Sequence, residues 1–415
     1  EHADWVIEQA AERGLVVLLF PLFLGYDYGD GGWFPEVEEA TVEDLRAWGR
    51  FLGRRYKYFD NIVWGIGGDC DPTPARDKVL AMVEGILEYD KIHLITAHNE
   101  PESQAVTPWE GEPWLTLNSV YSYSTSLYEE CLDAYDYEPT MPYFLIEAAF
   151  ENENATEQKL RAQAYWPLLC GAVGFNFGNC PIWHFGSSPQ RCELVDWLSA
   201  LDDYGTQSMT HLHHLFNSRA WWLLEPDLGH SVMLSGHGWW GDAHYAPAAM
   251  TSDGNTFIAY IPDSRQIVID LGRFSGRRAA SWWFDPADGT ATLDAYHLTD
   301  GKKVFYPPSD DEWVLVIDSA DLQLPAPGTA YRPGDVVWVK PGWVGLELGT
   351  LDAPFGSFSE AVDAANSGGR IKILGTADSR ITDEMLIDKK VRIEAIPLWA
   401  QPAENSATAG WSRYR

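Results

Sequence analysis

The sequence predicts an α/β fold: a (β/α)8 TIM barrel lacking its first two strands, then an antiparallel β-sandwich and the start of a parallel β-helix-like unit. Residues 1–214 alternate helical segments with near-continuous apolar runs, a pattern typical of parallel strands that are buried on both faces. Six such runs occur, whereas a closed barrel of this type needs eight. From residue 215 the chain changes to short strands separated by hairpin signals such as SDGN and DPADGT.

The barrel prediction depends on the order of these helices and strands. Helices are predicted at Trp5–Arg13, Val42–Tyr56, Ala75–Tyr89, Leu127–Tyr135 and Thr156–Leu169. The apolar runs among them are LVVLLFPLFL, NIVWGIGGD, IHLITAHN, LTLNSVYSYS, YFLIEAAF and AVGFNFGN. An amphipathic helix at the start leads directly into a strand, so we expect two βα units to precede this chain. A doubly wound open sheet is the alternative, although no GxGxxG fingerprint supports its nucleotide-binding form.

Three further segments follow the predicted barrel. Residues 215–318 carry short strands with regular turns, which predict a small antiparallel β-sandwich. The Pro- and Gly-rich residues 319–348 predict a linker. Residues 349–397 combine the helical segment FSEAVDAANSG with the short strands RIKILG and VRIEAI. Residues 398–415 show no periodicity and are predicted to be disordered.

Charge and aromatic content restrict the function. The net charge is −32, with 61 acidic against 29 basic residues, which argues against nucleic-acid binding and against an anionic membrane surface. No apolar run approaches the ~20 residues needed to span a bilayer, so we expect no membrane insertion. The chain has 20 Trp and 19 Tyr, whose flat faces suit sugar-binding clefts as well as large cores.

Cysteine and histidine patterns predict neither a metal nor a cofactor. The five cysteines form no CxxC pair, so neither a zinc site nor a disulfide framework is expected. Small buried thiols are one interpretation, and a single disulfide among Cys170, Cys180 and Cys192 is the other if the protein is secreted. The HLHH run at residues 211–214 lies between the barrel and the sandwich, where we predict no metal.

Asp69 and Glu147 are the predicted catalytic residues. In a (β/α)8 barrel the chemistry lies at the C-terminal ends of the strands, and these residues would end strands four and seven. Two carboxylates that flank a scissile bond are the minimum requirement for glycoside hydrolysis. Asp69 could instead cap a helix or form a turn. Glu147 interrupts the apolar run YFLIEAAF, and a buried lone carboxylate is costly without a partner or a function.

Other polar and aromatic side chains near the strand ends predict substrate contacts. The predicted substrate-binding residues are Trp64, His98, Asn99, Tyr121, Tyr123, Glu151, Asn176 and Trp183. For most of them, a place in the core or in a loop fits the sequence about as well.

These segments resemble the apiosidase-like glycoside hydrolases of bacteria. The similar segments are YFDNIVWGIGGDCDP, HLITAHN, GEPWLTLNSVYS and FLIEAAFEN, followed by LLEPDLGHSVMLSG, AAMTSDGNTFIAYIP and SWWFDPADGT. The resemblance implies a (β/α)8 barrel in which Asp69 is the acid/base and Glu147 the nucleophile. It also implies that the segment from Arg219 to Asp318 is the family's C-terminal β-sandwich. That domain is labelled as collagen-binding, although nothing in this sequence supports collagenolysis. The segment GTLDAPFGSFSEAVDAANSGGRIKILG resembles the opening coil of right-handed parallel β-helix proteins.

The sequence therefore predicts a bacterial glycoside hydrolase, secreted or periplasmic, that cleaves polysaccharide side chains of plants or microbes with retention of configuration. Asp69 would protonate the leaving oxygen and Glu147 would attack the anomeric carbon. We expect a monomer whose partner is an oligo- or polysaccharide. The alternative is a non-catalytic protein that binds carbohydrate or matrix on a degenerate barrel.

Overall fold

The computed structural model has a mixed α/β fold with a larger N-terminal unit, a β-sandwich unit and a small C-terminal unit. It describes residues 2–28, 31–153, 155–185, 196–322, 324–329, 336–344, 349, 354–365, 369–375 and 391–396. The predicted disordered tail, residues 398–415, lies outside the described residues, as do parts of the predicted linker and of the predicted β-helix-like unit. The boundaries between the predicted domains stay predictions.

The N-terminal unit, residues 2–217, alternates helices and strands as its sequence pattern predicts. Its helices are α1 (His2–Ala11), α2 (Phe34–Glu39), α3 (Val42–Tyr56), α4 (Arg76–Leu87), α5 (Val106–Trp109), α6 (Tyr128–Tyr135), α7 (Glu157–Leu169), α8 (Cys180–Trp183) and α9 (Tyr204–Asn217). Its strands are β1 (Val17–Leu19), β2 (Ile62–Gly67), β3 (Ile95–His98), β4 (Ser103–Gln104), β5 (Asn118–Tyr121) and β6 (Tyr143–Glu147). Strands β3 and β5 are buried along their whole length, as expected for strands that are covered on both faces.

The long strands of this unit are parallel and lie side by side in chain order. One sheet has the order β1-β2-β3, and a second contains β5 and β6 in parallel with β4 antiparallel at its edge. The backbone N–H of Leu117 donates to the carbonyl of Ile95 at 3.1 Å, next to the junction between the two sheets. Because the strands run the same way, their C-terminal ends meet at one edge.

The sixth predicted strand of this unit forms two isolated parallel bridges, between Phe175 and Leu145 and between Asn179 and Glu151, rather than a continuous strand. Within the described residues the two sheets do not close into a barrel. The mixed α/β fold is therefore established, and the (β/α)8 barrel stays a prediction.

Local sequence signals explain where the helices of the first sheet begin and how they pack. Thr41 forms a capping box with Asp44 at the start of α3, which satisfies backbone N–H groups that the helix leaves open. Helices α3 and α4 lie close together because glycines face the partner helix, and a Cβ at Gly53 or Gly85 would overlap backbone atoms across the contact. Side chains of both helices belong to the same buried apolar cluster as side chains of β2 and β3.

The β-sandwich unit consists of two antiparallel sheets that enclose a common apolar core. Its strands are β7 (Leu224–Pro226), β8 (Met233–Ser235), β9 (Ala248–Thr251), β10 (Thr256–Ile261), β11 (Ile267–Asp270), β12 (Arg278–Phe284), β13 (Ala291–Leu298), β14 (Lys302–Phe305) and β15 (Trp313–Ser319). The larger sheet has the order β13-β12-β15-β10-β9-β7 and the smaller one β14-β11-β8. Alternate side chains of the larger sheet, such as Phe257 and Leu315, pack against the smaller sheet.

The opposite face of the larger sheet packs against α7 and α9 of the N-terminal unit. Tyr260 stacks on Tyr165 at 5.0 Å between ring centroids, and both belong to a cluster of buried side chains that spans the two units. Beside this stack, Arg161 Nε donates to Glu312 Oε1 at 2.7 Å, and the Tyr260 hydroxyl donates to Glu312 Oε2. The two units therefore share a core.

The C-terminal unit contains three parallel strands, β16 (Val336–Val339), β17 (Arg370–Leu374) and β18 (Arg392–Ile396), in that spatial order. Helix α10 (Phe358–Ala364) lies between the first two strands in sequence and packs on them through Phe358 and Val362. Three strands in register are compatible with the predicted β-helix-like start but do not establish it. None of the described helices is long and apolar enough to cross a membrane.

Candidate functional site

Asp69 follows β2 on a tight turn that only glycine can make at two positions. Gly67, Gly68 and Asp69 all have positive φ, at 86°, 140° and 52°. A Cβ on Gly67 would lie 2.6 Å from the carbonyl oxygen of His98, and one on Gly68 would overlap the Phe23 ring. Asp tolerates the left-handed conformation better than most residues. The two glycines therefore shape the turn and allow a close approach of neighbouring groups, and this turn places the Asp69 carboxylate at the strand end.

Glu147 ends β6 and lies beside Tyr121 of the neighbouring parallel strand. The two residues are partners in the sheet register, which shifts between Val120 and Tyr121. The Tyr121 hydroxyl lies 2.8 Å from Asp69 Oδ1 and 3.3 Å from Glu147 Oε1. One phenol oxygen thus contacts both predicted catalytic carboxylates, which brings Asp69 and Glu147 into a single cluster.

Tyr123 and His98 complete the contacts of Glu147. The Tyr123 hydroxyl donates to Glu147 Oε1 at 2.8 Å and lies 3.0 Å from the Tyr121 hydroxyl. His98 Nε2 lies 3.3 Å from Glu147 Oε2, but it has no aligned hydrogen bond, and its ring packs at 4.8 Å from that of Tyr121. The carboxylate of Glu147 is therefore partly buried, with phenolic hydroxyls next to Oε1 and the imidazole of His98 next to Oε2.

The electrostatics of the cluster keep both phenols protonated. Burial raises the pKa of Tyr121 and of Tyr123, and the nearby charge of Glu147 raises each pKa further. Both hydroxyl groups therefore remain hydrogen-bond donors throughout the pH range in which carboxylates titrate.

Two charged residues hold the backbone of Tyr123, and the sequence pattern does not single them out. Glu102 Oε1 accepts the Tyr123 N–H at 2.8 Å, and Ser122 Oγ donates to the other oxygen of the same carboxylate. Lys159 Nζ donates to the Tyr123 carbonyl at 3.1 Å. Glu102 lies in a loop and Lys159 in the first turn of α7, so neither carries a motif that would have indicated this contact.

Trp64 and Asn99 lie in the interior, in contrast to the predicted substrate contact. Trp64 is fully buried in the core cluster of the first sheet, and its indole N–H donates to Asp90 Oδ2 at 2.9 Å. Its side chain points from β2 towards the helices, which corrects the expectation for Trp64. Asn99 follows His98 but is 2% exposed, with Nδ2 donating to the Gln104 carbonyl at 3.0 Å. Asn99 thus contacts the loop that follows β3.

The Glu151 carboxylate binds the start of α9 and not the carboxylate cluster, and its predicted substrate contact stays a prediction. Its carboxylate accepts the Gly205 N–H at 2.6 Å and the Asn179 side-chain amide at 3.0 Å. Gly205 lies in the first turn of α9, where backbone N–H groups and the helix dipole favour an anion. Burial raises the pKa of Glu151 despite these hydrogen bonds.

Asn176 and Trp183 are both exposed to solvent. The Asn176 side chain donates to the Ile146 carbonyl at 3.0 Å, directly before Glu147. The exposed Trp183 ring packs edge-on against His184 at 4.9 Å. Of the eight predicted substrate contacts, the structure thus brings His98, Tyr121 and Tyr123 to the carboxylate pair and leaves Asn176 next to it.

The described residues contain no cluster of His, Cys, Asp and Glu that could hold a metal ion, and the residues 211–214 lie within α9.

Cys70, Cys131 and Cys170 are free and buried, and burial raises the pKa of the Cys70 thiol to about 11. Cys180 is disulfide-bonded. Three of the cysteines are therefore buried thiols, and the possibility of a disulfide at Cys180 is realised.

Two solved structures with a similar fold are described as glycoside hydrolases. A glycoside hydrolase family 5 protein from Bacteroides vulgatus superimposes with a TM-score of 0.67 and 23% identity, over 77% of this chain and 74% of that one. A second structure described as a glycoside hydrolase gives a TM-score of 0.68 and 23% identity, over 77% and 76% of the two chains. At this identity the likeness concerns the fold. No match was found among curated proteins.

Family comparison gives the narrower assignment. Residues 1–223 match the family described as "Apiosidase-like, catalytic domain", and residues 238–318 match the "Putative collagen-binding domain of a collagenase". The first match covers more than half of the chain, and the chain belongs to the apiosidase-like family. The resemblance inferred from the sequence motifs is thereby confirmed.

Proposed function

We propose that this protein is a retaining glycoside hydrolase in which Asp69 is the acid/base and Glu147 the nucleophile. The observation that carries the proposal is the Tyr121 hydroxyl, which contacts both carboxylates at 2.8 and 3.3 Å. Those two oxygens therefore lie within about 6 Å of each other, which fits the roughly 5–5.5 Å of retaining enzymes better than the roughly 6.5–9.5 Å of inverting ones.

The chemistry proceeds by double displacement. Glu147, ionised, attacks the anomeric carbon while Asp69, protonated, gives its proton to the departing glycosidic oxygen, so a glycosyl ester forms as the glycosidic bond breaks. Asp69, now ionised, then takes a proton from water, and the water oxygen displaces Glu147 from the anomeric carbon. The Tyr123 hydroxyl stabilises the charge that returns to Glu147 in the second step.

Three wider features belong to the same proposal. The parallel strands are part of a (β/α)8 barrel, because their chain-order arrangement and the grouping of both carboxylates at one edge are those of that fold. The substrate is an oligo- or polysaccharide, with the scissile bond at a side chain of a plant or microbial polymer. The protein is secreted or periplasmic, a location that the disulfide at Cys180 supports, since disulfides persist in oxidising compartments.

The proposal is tested by hydrolysis and by product stereochemistry. Rhamnogalacturonan and arabinogalactan oligosaccharides are incubated with the wild-type chain, Asp69→Asn and Glu147→Gln, and fresh products are followed by NMR of the anomeric proton. We expect retained configuration in the wild type and a loss of at least about 10³-fold in each variant, since each carboxylate serves both steps.

Asp71→Asn is the matched control, because Asp71 lies two residues beyond Asp69 and its carboxylate binds Thr73 instead of the cluster. Inverted product, or full activity in Glu147→Gln, would contradict the assigned roles.

A second candidate function is binding of carbohydrate or matrix through the sandwich unit. It is favoured by Trp239 and Trp240, which are 83% and 56% exposed on the segment between β8 and β9. Exposed indole rings offer stacking surfaces for sugars. Retention of the protein on insoluble polysaccharide, lost in a Trp239→Ala and Trp240→Ala double variant but kept in Glu147→Gln, would support this function.

A further inference from the structure

We propose that Tyr121 couples the protonation states of the two carboxylates by moving its single phenolic hydrogen bond between Asp69 and Glu147. The inference deepens the proposed function and rests on it, because double displacement requires Asp69 to alternate between protonated and ionised forms. Tyr121 acts here as a positioning residue, which neither gives a proton to substrate nor takes one.

The geometry is a chain of four oxygen atoms. Asp69 Oδ1 lies 2.8 Å from the Tyr121 hydroxyl, which lies 3.0 Å from the Tyr123 hydroxyl, which in turn lies 2.8 Å from Glu147 Oε1. A fourth contact, at 3.3 Å, joins Tyr121 directly to Glu147. Four oxygen–oxygen contacts are thus served by two phenolic protons, and each hydroxyl donates one.

When both carboxylates are ionised, the two protons serve one acceptor each. Tyr121 donates to Asp69 and Tyr123 donates to Glu147, since these are the two shortest contacts. The remaining contacts then carry no proton, and Glu147 accepts one phenolic hydrogen bond.

When Asp69 is protonated, a third proton enters the chain. The Asp69 carboxyl can donate to the Tyr121 oxygen, and the Tyr121 proton is released towards Glu147. Glu147 then accepts hydrogen bonds from both phenols. The protonation state of Asp69 therefore decides whether the nucleophile receives one phenolic hydrogen bond or two.

This alternation matches what each step of the reaction needs. Before attack, two hydrogen bonds keep Glu147 ionised while Asp69 holds its proton. As Asp69 gives up that proton, the Tyr121 hydroxyl turns to the new charge on Asp69, and Glu147 loses one of its hydrogen bonds while it is attacking. Hydrogen bonds to a carboxylate lower its basicity, so this release favours formation of the ester bond.

Other titratable groups surround the pair and must be separated from the effect of Tyr121. His98 of β3 lies against Glu147, and the negative charges of Asp69 and Asp71 both act on Cys70 in the turn after β2. These groups, and the direct repulsion between the two carboxylates, are retained when only the Tyr121 hydroxyl is removed. The matched comparison is therefore Tyr121→Phe against Tyr123→Phe.

The experiment is a carboxyl and phenol titration by ¹³C NMR, without substrate. The chain is labelled at the side-chain carboxyl carbons of Asp and Glu and at Cζ of Tyr, and Asp69→Asn, Glu147→Gln, Tyr121→Phe and Tyr123→Phe assign the signals. In the wild type, we expect the Tyr121 Cζ signal to shift at the midpoint of Asp69. We expect Tyr121→Phe to raise the pKa of Asp69, because its ionised carboxylate loses a hydrogen bond, and Tyr123→Phe to change that pKa less.

A Tyr121 signal that does not respond at the midpoint of Asp69 would overturn the proposal, as would an unchanged pKa of Asp69 in a folded Tyr121→Phe variant. The first criterion is read on the wild-type chain, and the variants serve only to assign its signals. Hydrolysis is assayed separately on the same preparation. An inactive wild type with coupled titrations would contradict the proposed function, whereas an active wild type with independent titrations would contradict only the coupling.

Discussion

The buried ion pair between the N-terminal unit and the sandwich supports a quantitative prediction. Arg161 and Glu312 are 7% and 8% exposed, and Arg161→Met leaves the Glu312 carboxylate with the Tyr260 hydroxyl as its remaining partner in the pair's network. Removing one member of a buried pair typically costs about 3–5 kcal/mol. That loss would be a large part of the roughly 5–15 kcal/mol that stabilises a typical folded protein.

The pair can also be replaced instead of broken. In the Arg161→Met and Glu312→Leu double variant no buried charge of the pair remains without its partner, so most of the lost free energy of unfolding should return. Equilibrium urea unfolding of the wild type, both single variants and the double variant measures the coupling.

The pH dependence of Arg161→Met gives an independent check. Burial raises the pKa of Glu312 even with Arg161 present, and without Arg161 the folded protein should favour the protonated carboxyl more strongly. The loss of stability caused by Arg161→Met is therefore absent below about pH 4.3, the pKa of Glu312 in the unfolded chain. It increases as the pH rises through the pKa of Glu312 in the folded protein. An equal loss of stability at pH 4 and pH 8, or no recovery in the double variant, would refute this reasoning.

Three further predictions concern the turn, the core and the backbone around the site. Gly68→Ala should reduce kcat at least tenfold and lower the thermal midpoint, because a Cβ meets the Phe23 ring and φ is +140°; unchanged kcat would contradict it. Burial of Asp90 disfavours its charged form, but hydrogen bonds from Trp64, Ile92 and His93 outweigh this effect and lower the pKa of Asp90. Its stabilising effect should be complete above about pH 4 and lost below it, so Asp90→Asn should flatten the acid side of a stability–pH curve measured by urea unfolding. Glu102→Gln should change kcat more than KM, because it weakens the hydrogen bond that the Tyr123 backbone N–H donates to residue 102. Steady-state kinetics that show an effect on KM alone would exclude this role.

Much of the N-terminal unit could be predicted from local patterns. Helices α3, α6 and α7 begin and end within one residue of their predicted bounds, because capping residues and apolar periodicity are local signals. The positions of Asp69 and Glu147 at strand ends were predictable for the same reason. Asp69 follows an apolar run and two glycines, and Glu147 interrupts an apolar run.

The roles of other residues depend on contacts that no local pattern encodes. Trp64 and Tyr121 both lie in buried strands, but Trp64 faces the helices and donates to Asp90, whereas Tyr121 faces the strand ends. Glu151 lies four residues after Glu147, yet it binds the start of α9, which is 54 residues further along the chain. Such assignments require knowledge of which segments meet.

By itself, the sequence determined the family, the order of helices and strands and the two carboxylates at strand ends, since each of these depends on residue types at short spacing. The tertiary structure alone decided that one phenol touches both carboxylates and that the sandwich shares a core with the N-terminal unit. The distances involved join residues 52, 26 and 151 positions apart, and only the packing of the folded chain brings them together.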